Sequence, residues 1–135
     1  MQLRTTLIAI GVLTAAISSA FGLPWAKDLK NAMAQAKTSR KVVMVDFTAV
    51  WCVNCHKLEK TTYIDPAVTK LLNAAVPVQI DFDKEPKLAA RYKITQLPVI
   101  LFVDAKGKEL GRISKYVDAK QFIAAATPIL AKAKK

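Results

Sequence analysis

The sequence predicts a single α/β domain with a mixed central sheet of about four strands and helices on both faces. Two short runs, residues 42–47 and Val99–Val103, are almost wholly apolar and rich in β-branched side chains. Runs of that length and composition are strands covered on both faces. Segments of helical period lie between and around them, and 135 residues suit one core of ordinary size and not two.

Leu29, Ala32, Met33 and Ala36 recur at helical spacing, so residues 25–37 read as an amphipathic helix that Ser39-Arg40-Lys41 ends. The first strand, 42–47, carries one carboxylate, Asp46. A helix over 52–61 follows. Asp65-Pro66 has the form of an N-cap with proline at the first helical position, opening a short helix with Val68, Leu71 and Leu72 on one side. Residues 76–82 form the next strand, and Pro86 opens a helix bearing Leu88, Ala89 and Tyr92. After the strand Val99–Val103, residues 105–108 make a hairpin turn into an edge strand over 110–117, marked by Arg112 and Lys115. Asp118 caps a last helix whose buried stripe is Phe122, Ile123, Ala126, Ile129 and Leu130, and which Pro128 is expected to bend or end. The order is α-β-α-α-β-α-β-β-α, with no repeat.

The N-terminus is Met1-Gln2-Leu3-Arg4, then an uncharged, mostly apolar run over 5–26 that includes the small residues Ser18-Ser19-Ala20. Residues 1–22 read as a signal peptide cut after Ala20 or Gly22, or as an N-terminal membrane anchor if left uncut, with the folded domain over 23–135. Either form places the domain outside the cytoplasm, in a periplasm or an equivalent compartment. The net charge of +11 comes mostly from lysines scattered over the domain, with a basic tail at Lys132, Lys134 and Lys135. Scattered charge of this kind is a solvated surface, and no clustering with aromatic residues marks a nucleic-acid face.

The two cysteines, in Cys52-Val53-Asn54-Cys55, are too close together to staple distant parts of the chain. They stand at the start of a helix, where unpaired backbone N–H groups and the helix dipole favour a thiolate. Cys52 is the expected nucleophile, and Cys55, one turn deeper, the expected resolving thiol. A bare C-x-x-C says little, but here Trp51 precedes it, a buried strand with an internal carboxylate leads into it, and an X-Pro step opens a second apolar strand some forty residues on.

That pattern resembles the thioredoxin superfamily from about Lys41 to Leu130. Residues 45–55, the following Lys57-Leu58-Glu59-Lys60 and the later Asp65-Pro66 look most like the C-terminal periplasmic domain of DsbD-type thiol:disulfide interchange proteins. The resemblance implies a thioredoxin-like fold, a redox pair at Cys52 and Cys55, a strand carboxylate at Asp46 able to relay a proton for Cys55, and a cis proline at Pro98 facing the pair. Trp51, Leu97 and Pro98 then form the substrate-binding wall, and Glu59, one turn past Cys55, adds negative potential. The activity implied is a thiol:disulfide oxidoreductase, acting as a reductant or electron relay on extracytoplasmic proteins. It needs no cofactor and works as a monomer, with reactive disulfides of clients and a membrane electron donor as partners. The chain departs from the group in lacking a polytopic membrane domain and in carrying His56 where lysine is common.

Other readings of the motif stay open at this stage. Cys52-Val53-Asn54-Cys55-His56 is also a c-type haem attachment signature, although no methionine follows Met44 and His56 is the one histidine, so an axial pair is missing. Zinc would lack a fourth dedicated ligand. A redox-inactive binding module, holding an extended chain beside Pro98, is the remaining competitor. Tyr63, Tyr92 and Tyr116 read as packing residues, and His56 as an exposed helix residue.

Overall fold

The computed structural model describes residues 22–134, so the leader read over 1–22 falls, except for Gly22, outside the described residues. Among the described residues no helix is long and apolar enough to cross a membrane. Strand β1, Val42–Thr48, lies inside a four-stranded sheet. It pairs in parallel with β2, Ala75–Asp81, and antiparallel with β3, Val99–Val103. β3 in turn pairs antiparallel with β4, Glu109–Ile113, giving the order β2-β1-β3-β4.

Side chains alternate across this sheet, and each face is covered. Val43, Val45 and Phe47 of β1 join Val99, Leu101 and Val103 of β3 beneath α1, Leu29–Ser39, and α4, Pro86–Arg91. Val42 and Met44 point the other way with Ile100 and Phe102, toward α3, Pro66–Leu71, and α5, Ala119–Lys132. On that second face the rings of Trp25, Tyr63, Phe122 and Phe102 follow one another at centroid spacings of 5.6, 6.2 and 6.4 Å.

The capping residues set most boundaries. Asp65 accepts from the backbone N–H groups of Ala67 and Val68, with Pro66 next to it as expected. Asp118 and Gln121 form a reciprocal capping box at the start of α5. Helix α1 starts at Leu29 and not at residue 25, because Asp28 caps it by accepting from Asn31 N–H at 2.7 Å. Just before it, Ala26 makes an isolated parallel bridge to Val78 on the outer edge of β2. Arg40, at φ 56°, closes the helix in the left-handed conformation.

Two further expectations are corrected, and of the two outcomes expected at Pro128 one is removed. The helix expected over 52–61 is α2, Val53–Lys57, followed by one π turn over Leu58–Thr62, in which the N–H of Tyr63 reaches back to the Leu58 carbonyl. Strand β4 ends at Ile113, short of residue 117, because the next carbonyls are taken by side chains from elsewhere. Ser114 accepts from Gln96, and Val117 from the Thr62 hydroxyl at 2.6 Å. Pro128 does not end α5, which runs on to Lys132. The burial of Ile129 and Leu130 holds the helix together, and the carbonyl that proline leaves unserved belongs to Ala124, which is exposed to water.

Phe122 links the last helix to both the sheet and Tyr63 and is fully buried. Phe122→Ala should therefore destabilise the domain by about 3–5 kcal/mol, read as a fall in urea midpoint. Ile123→Ala, at a half-buried neighbour, should cost markedly less.

Candidate active site

Strand β1 delivers the chain to a short loop, Ala49-Val50-Trp51, and then to the cysteines at the head of α2. Cys52 is the N-cap: its Sγ accepts from the backbone N–H of Cys55 at 3.2 Å, and its carbonyl accepts from His56 N–H at 3.2 Å. The two sulfurs are joined as a disulfide. Cys52 retains 5% of its surface and Cys55 only 1%, so the outward sulfur is that of Cys52. Cys55 Sγ lies 3.9 Å from the Phe47 carbonyl, one residue beyond Asp46 on β1.

Around this pair the surface is apolar. Val50 is 83% exposed, Val53 79% and Trp51 59%, although large aliphatic side chains are elsewhere mostly buried. The Trp51 indole is held in place by donating from Nε1 to Asp83 Oδ2 at 2.8 Å, across to the turn after β2. Half-buried Leu97 packs against Ala49, Cys52 and Cys55, and the Leu97–Pro98 bond is cis, as the resemblance implies. Of the residues expected around the pair, Leu97 thus packs against both cysteines, Trp51 directly precedes Cys52, and Pro98 follows Leu97.

Asp46 is buried, with 1% of its surface exposed. Its Oδ2 accepts from Gln79 Nε2 at 3.2 Å, and the same amide donates to Glu59 Oε1 at 2.9 Å. Glu59 therefore faces the Asp46 side of the site. The π turn carries Glu59 and ends against Tyr63, whose buried hydroxyl lies near Asp46. The pair does not meet hydrogen-bond geometry in this conformation: Asp46 Oδ1 and the Tyr63 hydroxyl are both buried without a partner among the described residues. Burial is the main force on Asp46 and pushes its carboxyl up to about 6. Gln79 and Tyr63 act against that shift, and the Glu59 charge adds to it. The Tyr63 phenol is pushed well above its ordinary range by burial and by the neighbouring Asp46 charge.

Two residues of this arrangement, Gln79 and Asp83, had no place in the expected site, and two, Tyr63 and His56, were expected only as a packing and an exposed helix residue. Gln79 was detectable in principle, as an amide inside an apolar strand. Its partnership with Asp46 follows from the parallel register that sets the two residues opposite each other. Asp83 has no local signal. Tyr63 does pack, as expected, but its hydroxyl belongs to the Asp46 environment. His56 is half-buried, with Nε2 3.1 Å from the Val50 carbonyl and Nδ1 3.4 Å from Glu59 Oε2. Both ring nitrogens are thus engaged inside the domain, which weighs against the haem-attachment reading. Among the described residues no three His, Cys, Asp or Glu side chains converge as a metal site requires.

A family model described as a thioredoxin-like domain matches residues 29–127, which hold the whole sheet and the cysteine pair. The chain belongs to the thioredoxin-like family. Among curated relatives it is 41% identical over 101 residues to the thiol:disulfide interchange protein DsbD of Cronobacter sakazakii, a match covering 70% of this chain and 17% of that protein. It is 39% identical over 103 residues to the protein of the same name from Salmonella typhi, covering 72% and 18%. The chain thus spans less than a fifth of the length of these relatives. A thioredoxin from Thermus thermophilus superimposes with a TM-score of 0.74 at 26% identity, covering 83% of this chain and 90% of its own. The C-terminal domain of Neisseria meningitidis DsbD, in its oxidised form, shares the fold at a TM-score of 0.63 and 24% identity, over 74% and 91%.

Asp46 gives a pH signature. Between its unfolded value near 4 and its folded value of about 6 the native chain holds a proton that the unfolded chain has released. Stability should therefore fall as pH rises through that window, by roughly 3 kcal/mol at most, and level off above it. Urea unfolding of Asp46→Asn should lose this slope and show a higher midpoint than the parent at pH 7.

Proposed function

We propose that the domain is an extracytoplasmic thiol:disulfide oxidoreductase that reduces or relays electrons to proteins carrying reactive disulfides. The observation that carries this reading is the cysteine pair itself. It caps a helix with its outward sulfur ringed by exposed apolar side chains, while its inner sulfur lies against the strand that holds a buried carboxylate. An electron donor in the membrane, and a compartment outside the cytoplasm, are supported by the likeness to DsbD proteins and by the apolar leader over residues 1–22.

In the reduced protein, the Cys52 thiolate attacks one sulfur of a client disulfide. That S–S bond breaks, the second client sulfur leaves as a thiolate, and a mixed disulfide forms. Cys55 then gives up its proton, which in this reading the buried Asp46 accepts. The resulting thiolate attacks the Cys52 sulfur. The Cys52–Cys55 disulfide forms and the client departs with two reduced sulfurs. Two electrons pass to the client, and the membrane donor must restore them. Val50, Trp51 and Val53 would seat apolar residues beside the client disulfide, with Leu97 and Pro98 forming the opposite wall.

Cys55→Ala should trap mixed disulfides through Cys52, because the first attack survives and the resolving step is lost. Non-reducing electrophoresis of the exported protein should show these adducts, and Cys52→Ala should show none. Trapping by Cys52→Ala alone would reverse the two roles. Intact mass should rise by about two units on dithiol treatment of the parent, one hydrogen per sulfur. A pair that never reduces would favour the redox-inactive binding module.

A further inference from the structure

His56 lies between two acceptors, the Val50 carbonyl in the loop ahead of Cys52 and the Glu59 carboxylate on the π turn. Glu59 in turn accepts from Gln79, and Gln79 also donates to Asp46. A continuous polar path therefore runs from the exposed rim beside Cys52 to the buried carboxylate, and His56 is its one member that is able to carry positive charge. A neutral imidazole has a single N–H, so one of the two contacts would set a lone pair against an oxygen. The imidazolium satisfies both.

We propose that His56 is a positioning residue for disulfide exchange, bridging Val50 and Glu59 as an imidazolium so that it anchors the loop before Cys52 and offsets the Glu59 charge. The proposal rests on the oxidoreductase reading above. The charged groups around the ring are Glu59, which favours the imidazolium, and Lys60, which opposes it; Asp46 on β1 is reached through Gln79. In keeping with this geometry, the ring is held above its ordinary pKa, first by the Val50 carbonyl and then by Glu59. With the ring neutral or absent, Glu59 acts uncompensated. A negative charge close by raises the pKa of any acid that ionises to an anion, so Cys52 and Asp46 would both hold their protons to higher pH.

The test is the pH dependence of Cys52 alkylation by iodoacetamide in the Cys55→Ala chain, alone and with His56→Gln or His56→Lys. Glutamine keeps a donor for Val50 but carries no charge, whereas lysine keeps the charge. His56→Gln should raise the apparent Cys52 pKa by about half a unit or more, and His56→Lys should return most of that shift. A purely structural role would not be rescued by charge. In the otherwise unaltered chain, NMR titration of the His56 ring should show a pKa that falls in Glu59→Gln. Superimposable alkylation profiles, a lysine variant no better than glutamine, or a ring pKa indifferent to Glu59 would each overturn the proposal. None of these results would stop Cys55→Ala from trapping clients, whereas loss of trapping would remove the oxidoreductase reading itself.

Discussion

The pairing of β1 on both its edges is the constraint on which the rest depends. A strand hydrogen-bonded to β2 and β3 has one allowed register, and that register decides which side chains face each layer. With Val43, Val45 and Phe47 committed to the α1 and α4 face, Val42, Met44 and Asp46 must face the opposite layer. A slip of one residue would exchange the two sets, strand a carboxylate among the residues around Ala32 and Ala36, and move the cysteine loop off the end of the sheet. The site is thus a by-product of a packing solution, and its most costly element, the buried Asp46, is tolerated because Gln79 is delivered opposite it by the same register.

That dependence explains what could be read from the sequence. The two buried strands, the capped helices at Asp65 and Asp118, and the cysteine pair carry local signals, and each is found where it was expected. The start of α1 was misplaced because Trp25 and Ala26 are apolar enough to extend a helical pattern, while Asp28 alone fixes the boundary. The end of β4 depends on Thr62 and Gln96, which reach it from far away in sequence. No window of neighbouring residues contains that information. The same holds within the site. Trp51 was legible, but its anchor Asp83 is 32 residues away and unremarkable by itself.

The π turn after α2 is where helix geometry and site chemistry meet. By widening one turn at Leu58–Thr62, the chain places Leu58, Thr62 and Tyr63 in the core while Glu59 faces Gln79. The Thr62 hydroxyl then binds the Val117 carbonyl, and Lys57 lies over the Tyr116 ring at 4.2 Å. The far end of the cysteine-bearing segment is thereby fixed to the approach to α5, and its first turn is left to meet solvent.

The outer edge of the sheet has a consequence of its own. The Pro77 carbonyl accepts from Ala26 N–H, so it points away from β1, and in an extended strand a residue's nitrogen points the same way as its carbonyl. The N–H that proline lacks is therefore missing from the outward edge and not from the ladder to β1. Together with the Ala26 bridge, this leaves β2 a poor template for a foreign strand. If the proposed function holds and the domain meets extended polypeptides, an open margin would carry a standing risk of being zipped into them. Here the proline gap and the one-residue bridge blunt the β2 margin.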